Sequence, residues 1–225
     1  MNWQVIIDSL PELAQGALLT LELIFISGVL GLILAIPIAL GRVSTSWTVR
    51  AAPYAFIFFF RGTPLLVQIF LVYYGLSQFE FIRESFAWPV LREAYWCAII
   101  AFTLNTSAYT AEILRGAIQA VPTGEVEAAK AIGMGRWLRL RRVILPRAFR
   151  IALPAYSNEV ILMLKGSALA STITLLDLTG MARTIIAETY MPIELFLAAG
   201  AFYLVIAAVL LQGLRLVEKH LHGVS

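Results

Sequence analysis

The residues best suited to chemistry lie inside otherwise apolar sequence. Asn105, Tyr109 and Glu112 recur at i, i+4 and i+7. That spacing puts an amide, a phenol and a carboxylate on one face of a helix. Asn158 and Glu159 offer a second amide and carboxylate at a similar depth in the next hydrophobic segment. Ionisable groups in such surroundings are costly and are functional candidates by default. Two readings stand: a polar stripe facing a solute that carries opposite charges, or an interhelical polar cluster, for example Glu112 paired with Lys165. Arg61 and Lys165 roughly offset the two carboxylates, so charge alone does not choose. Arg61, Gly62, Thr63 and Pro64 form another polar interruption. Arg61 can snorkel to an interface, and Pro64 frees backbone carbonyls that Arg61 or Thr63 can satisfy. The motif reads as mainly architectural, a kink near a gate.

Little in the chain supplies covalent chemistry. There is no GxxxxGK[ST] phosphate loop and no HExxH pair. The histidines, His220 and His222, lie in the tail, and Ser107, Ser167 and Ser171 have no histidine nearby in sequence. An intramembrane enzyme is therefore disfavoured. A channel, a carrier or a subunit driven by another protein remains, with no metal or cofactor bound by this chain.

The elements that must position these residues are membrane helices. A mean hydropathy of +0.83, with 60% hydrophobic and 14% charged residues, is that of an all-α polytopic membrane protein. The 225 residues have room for about five or six helices of roughly 20 residues. Apolar runs predict five spans, at about 18–40, 55–75, 95–114, 150–171 and 194–214. A short amphipathic helix precedes the first span, which has no basic n-region and is expected to be retained. Gly28, Gly31, Ala35 and Ala39 in that span permit close helix contact. Aromatic runs such as Phe58–Phe60 and Tyr73–Tyr74 suit lipid or interfacial positions. The single cysteine, Cys97, reads as inert packing.

Net charge is +3, but the basic residues cluster between spans, which points to membrane topology rather than nucleic acid. The 41–53 loop, the 115–150 loop and the tail hold twelve Lys or Arg, against Arg83, Arg92 and Arg183 on the other side. Five spans with the N-terminus outside fit that asymmetry. The 115–150 loop is then cytoplasmic.

That loop is the longest polar interruption. Glu125, Glu127 and Lys130 sit in a helix-forming run with Ala128, Ala129 and Ala131; Gly133 and Gly135 break it; a basic amphipathic segment follows around Trp137. Pro146 and Pro154 bracket the return to apolar sequence. One reading is a basic loop on anionic lipid headgroups. The other is a rigid knob for a partner's groove, favoured because the first half is acidic and alanine-rich.

The spacing Glu127-Ala128-Ala129, Gly133, Val143, Leu145-Pro146 resembles the EAA loop of bacterial ABC importer permeases. Arg61-Gly62-Thr63-Pro64 and the stretch from Leu104-Asn105 to Ala111-Glu112 resemble the polar amino acid uptake branch. The run from Ile151 to Leu164 is similar to the M-type permeases of histidine, lysine, arginine, ornithine and opine importers. The resemblance implies a type I ABC importer permease fold, one transmembrane permease domain over 1–225 with its N-terminus periplasmic, in the bacterial inner membrane. It also implies coupling helices within about 120–150, between spans 3 and 4, that dock on a separate ATPase through Glu127, Ala128, Ala129, Gly133, Leu145 and Pro146. Implied partners are a second homologous permease, two ATPase subunits carrying ATP and Mg, a periplasmic substrate-binding protein and membrane lipid. Five helices are too few to enclose a gated hydrophilic pathway, which agrees with a second permease. For a basic amino acid or opine, Glu112 and Glu159 are the candidate carboxylates for the substrate cation, with Asn105, Tyr109 and Asn158 beside them.

Overall fold

The computed structural model describes residues 2–222, so Met1 and 223–225 of the expected domain lie outside it. Among the described residues the chain is helical, with no strand. It begins with α1, Trp3–Arg42, started by the Asn2 side chain accepting from the Gln4 amide at 3.2 Å. At 40 residues this helix is about 60 Å long, twice the hydrocarbon thickness. The short helix expected before the first span is instead, from Trp3 onward, the first part of this one. Its continuity at Gly16 is explained by packing: that face lies against Asp177 and Leu178.

The second expected span is broken. α2, Trp47–Gly62, ends at the Thr63–Pro64 step, and α3, Leu65–Phe70, continues through a π turn over Leu71–Gly75 to Gln78. The two parts meet at a bend of 107°. Thr63 and Pro64 are extended, as a residue before proline prefers. The kink read from Arg61-Gly62-Thr63-Pro64 is thus present, and far sharper than a kinked span. Two short helices, α4 at Glu80–Arg83 and α5 at Trp88–Leu91, lead to α6, Ala94–Gln119.

After α6 come α7, Thr123–Ala131, and α8, Arg136–Arg139, which runs through a π turn at Leu140–Ile144 into α9, Leu145–Ser167. Pro146 therefore does not interrupt the second helix of the loop; the wider turn just before it absorbs the missing N–H. A 3-10 turn over Ala168–Ile173 and a left-handed Thr174 lead to α10, Leu178–Thr189. Left-handed Tyr190 ends α10, and α11 runs Pro192–His222, so the expected polar tail continues the last helix.

Among the described residues three helices are long and apolar enough to cross a membrane, Trp3–Arg42, Ala94–Gln119 and Pro192–His220, and two bent pairs bring the total up to five. α1 is the common support, contributing Leu13, Leu23 and Ala35 to three separate buried clusters. Gly28, Gly31, Ala35 and Ala39 are all buried. At Gly31 a side chain would run into Thr106 of α6, so the two helices meet almost backbone to backbone. Cys97 is buried and free, its thiol 3.1 Å from the Leu91 carbonyl.

Candidate functional site

Two cavities meet at one side chain. The first, about 280 Å³, is lined by Thr63, Pro64, Asn105, Tyr109 and Glu159. The second, about 400 Å³, is lined by Arg42, Tyr54, Arg61, Tyr109 and Glu112. Tyr109 belongs to both, so the helical period of α6 does lay Asn105, Tyr109 and Glu112 along one polar track. The larger cavity against α10, about 540 Å³, is lined by Arg183, Thr184 and Glu188 and shares none of these residues.

The residues of the track are not equivalent. The Asn105 amide donates to the Gln68 side-chain oxygen at 2.9 Å and to the Phe60 carbonyl at 3.4 Å. Gln68, itself buried, donates to the Phe60 and Thr63 carbonyls at 2.8 and 3.0 Å. These are the carbonyls left over where α2 stops, so Asn105 and Gln68 close the backbone ledger of the bend. Glu112 is engaged by Arg115, whose Nε donates to Oε1 at 2.7 Å while Nη2 makes a second contact. Glu112 therefore pairs with a neighbour on its own helix and not with Lys165, which borders a different cavity with Tyr203. The other oxygen of Glu112 is buried without a hydrogen-bond partner.

Glu159 stands apart. It is 6% exposed, and its nearest hydrogen-bond partner is the Thr106 hydroxyl at 3.4 Å. A carboxylate so placed, on a cavity wall with a long neutral contact, retains lone pairs for a cation. Asn158, one residue and about 100° away, is exposed and borders none of these cavities. Arg61 lies with its guanidinium carbon 5.2 Å from the Tyr109 ring centroid, a cation–π contact.

The loop beyond α6 forms a protruding knob. Its turn is a Schellman end: the Met134 amide donates to the Ala129 carbonyl at 3.0 Å and the Gly133 amide to Lys130 at 2.9 Å, with Gly133 at φ +81°. Glu127 and Ala128 are exposed and Ala129 is buried. Ile132, Trp137 and Leu138 present apolar surface beside exposed Arg136. Arg147 meets Glu125 at 3.3 Å, tying α7 to the start of α9. Leu145 and Pro146 sit at that start.

This chain matches, over residues 6–223, the model of the binding-protein-dependent transport system inner membrane components. It belongs to that family. The inner membrane component is 51% identical to the octopine transport system permease protein OccM of Rhizobium radiobacter, over 96% of this chain and 86% of that protein. It is 48% identical to the nopaline transport system permease protein NocM of Agrobacterium fabrum, over 97% and 91%. The histidine/lysine/arginine/ornithine transport system permease protein HisM of Escherichia coli K12 is 46% identical, over 91% and 86%. Among solved structures, an amino acid ABC transporter crystallised with histidines superposes at a TM-score of 0.86, with 35% identity over 98% of this chain and 99% of that one. The MetNI methionine transporter shares the fold, at a TM-score of 0.75 and 18% identity. The type I ABC permease fold is thereby established.

Of the residues singled out in the sequence, the inner membrane component gathers Asn105, Tyr109 and Glu159 around one cavity and Arg61, Tyr109 and Glu112 around the next. Gln68, Thr106 and Arg42 are additions. Gln68 had a readable signal, a long amide four residues beyond a proline in an apolar run. Among the described residues no three His, Cys, Asp or Glu side chains are grouped as metal ligands.

Proposed function

We propose that this chain is the permease subunit of an ATP-driven importer of basic amino acids or related opines, lining the pathway together with a second, homologous permease subunit. The observation that carries the reading is Glu159: a buried carboxylate, whose one hydrogen bond among the described residues is a long hydroxyl contact, on the wall of a cavity shared with Asn105 and Tyr109. A cationic side chain or ammonium is its natural counterpart. Relatives named for octopine, nopaline and histidine/lysine/arginine/ornithine transport support the substrate class.

Coupling follows from the knob. Glu127, Ala128 and the apolar Ile132 and Trp137 present a small polar and apolar tip that suits the cleft of an ATPase subunit. Two such ATPases hold ATP and Mg; this chain holds neither. With the N-terminus on the periplasmic side, a binding protein delivers substrate opposite the knob. Closure of the ATPases draws the knobs of the two permeases together, and the 107° bend beside the Glu159 cavity is where the helices can open.

The test is ATPase activity of the complex purified through this chain and reconstituted with its binding protein, titrated with arginine, histidine, lysine and octopine. Stimulation by one of them is expected. If no ATPase accompanies the chain while solute still crosses the bilayer, a channel or carrier takes this reading's place.

A further inference from the structure

The second cavity carries a charge pattern that the cation-binding reading leaves unused. Glu112 is paired with Arg115 through one oxygen, so that pair is neutral, while its other oxygen is left without a hydrogen-bond partner. Arg42 and Arg61, from the last turns of α1 and α2, border the same space. Neither is within 4.0 Å of a carboxylate oxygen among the described residues. Each guanidinium lies over a tyrosine ring instead, Arg42 at 5.0 Å from the Tyr54 centroid and Arg61 at 5.2 Å from Tyr109. The Arg42 Nε is buried with no hydrogen-bond partner. A guanidinium held by its face keeps the in-plane N–H edge free, and that edge matches a carboxylate in a two-pronged contact.

We propose that the Arg42–Arg61 cavity is a carboxylate subsite for the transported solute, separated by Tyr109 from the carboxylate of Glu159. It rests on the importer reading above and deepens it. The pathway then carries two poles: Glu159 for the cation, and the arginine pair for the acid end. A solute bearing both charges spans Tyr109, or passes from one pole to the other as it moves. A solute with two carboxylates, as an opine has, engages both guanidiniums. An anionic lipid headgroup has related chemistry. The shared wall with the Glu159 cavity favours the solute, because a headgroup has no use for the second pole.

The experiment uses the full complex in nanodiscs, without nucleotide and without binding protein. It measures direct binding of labelled arginine, octopine and agmatine, which keeps arginine's cationic end and lacks its carboxylate. Arg42→Gln and Arg61→Gln are each expected to weaken arginine binding about tenfold or more, the size of one charge-assisted hydrogen bond, and octopine binding at least as much. Agmatine binding should be unchanged, which also shows that the variants fold. Arg61→Lys should recover part of the loss, since it restores charge without the fork. Equal losses for all three ligands, or no loss for any, overturn the subsite while leaving the importer standing. So does a loss seen only in nanodiscs that contain phosphatidylglycerol, which assigns the arginines to lipid. A wild-type complex that binds none of the three and shows no solute-stimulated ATPase activity overturns both readings.

Discussion

Asn105 and Gln68 are joined by a 2.9 Å hydrogen bond that ties α6 to α3 beside the 107° bend between α2 and α3. Through it the middle of α6 is tied to the backbone that α2 abandons at Thr63. The polar track along α6 thus has a structural end, at Asn105, and an open part, at Tyr109.

Replacing Gln68 tests that division. Gln68→Leu leaves the Thr63 carbonyl unpaired and weakens the cover on Phe60. Each buried group left without a partner costs about 1–3 kcal/mol. The midpoint of thermal unfolding in detergent should fall clearly for Gln68→Leu. An unchanged midpoint means that these bonds do not hold the bend.

The packing of α1 against α10 makes a second case. A Cβ at Gly16 would stand 2.9 Å from the Asp177 carbonyl oxygen and 3.0 Å from the Leu178 Cα, both backbone atoms that cannot turn aside. Gly16→Ala should destabilise by about 1–3 kcal/mol. Gly116→Ala, with nothing within 4 Å, should be neutral or gain up to about 1 kcal/mol of helix stability. Equal unfolding midpoints for the two variants would contradict the close approach.

Gly133 and Gly135 separate backbone strain from space. Both have room for a side chain, but Gly133 sits at φ +81° and Gly135 at φ −61°. Alanine at 133 costs about 1–2 kcal/mol in the left-handed region, and the knob's turn should loosen. Gly133→Ala is expected to lower uptake relative to ATP hydrolysis in proteoliposomes, while Gly135→Ala behaves like wild type. Glu127→Lys should uncouple as well, with the complex still present in the membrane. Normal uptake in both Gly133→Ala and Glu127→Lys would remove the knob from the coupling mechanism.

The two carboxylates give opposite expectations. On the proposed reading Glu159→Gln removes the pole for a cation, so uptake of lysine or arginine should fall at least about tenfold through KM. Glu112→Gln leaves Arg115 with a weaker partner, and its effect should appear mainly in the unfolding midpoint. A Glu112→Gln variant that loses uptake as severely as Glu159→Gln, with an unchanged midpoint, would reverse the assignment.

Much of the site was legible before any fold was known. The i, i+4, i+7 spacing is enough to align Asn105, Tyr109 and Glu112, because helical period is local. The choice between facing a solute and pairing within the protein was not legible, since near and distant partners compete for each side chain and only the packed structure selects among them. Asn105 is bonded to Gln68, Glu112 gives one oxygen to Arg115 and keeps the other without a partner, and Glu159 has a single long contact with Thr106. Asn158 illustrates the same limit: adjacent to Glu159 in sequence, it points elsewhere.

Local chemistry along the chain set the material of the fold. Hydropathy demanded membrane helices, the small residues of α1 permitted a close neighbour, and Gly133 with Gly135 marked a helix break, all consequences of local chemistry. Tertiary structure decided how those pieces are used. It continued the first span back to Trp3, with Gly16 packed against the backbone of Asp177 and Leu178, and it set a 107° bend at the proline, where Gln68 and Asn105 donate to the freed carbonyls. In an apolar medium a freed carbonyl must find a donor inside the protein. Only the fold can say where that donor comes from.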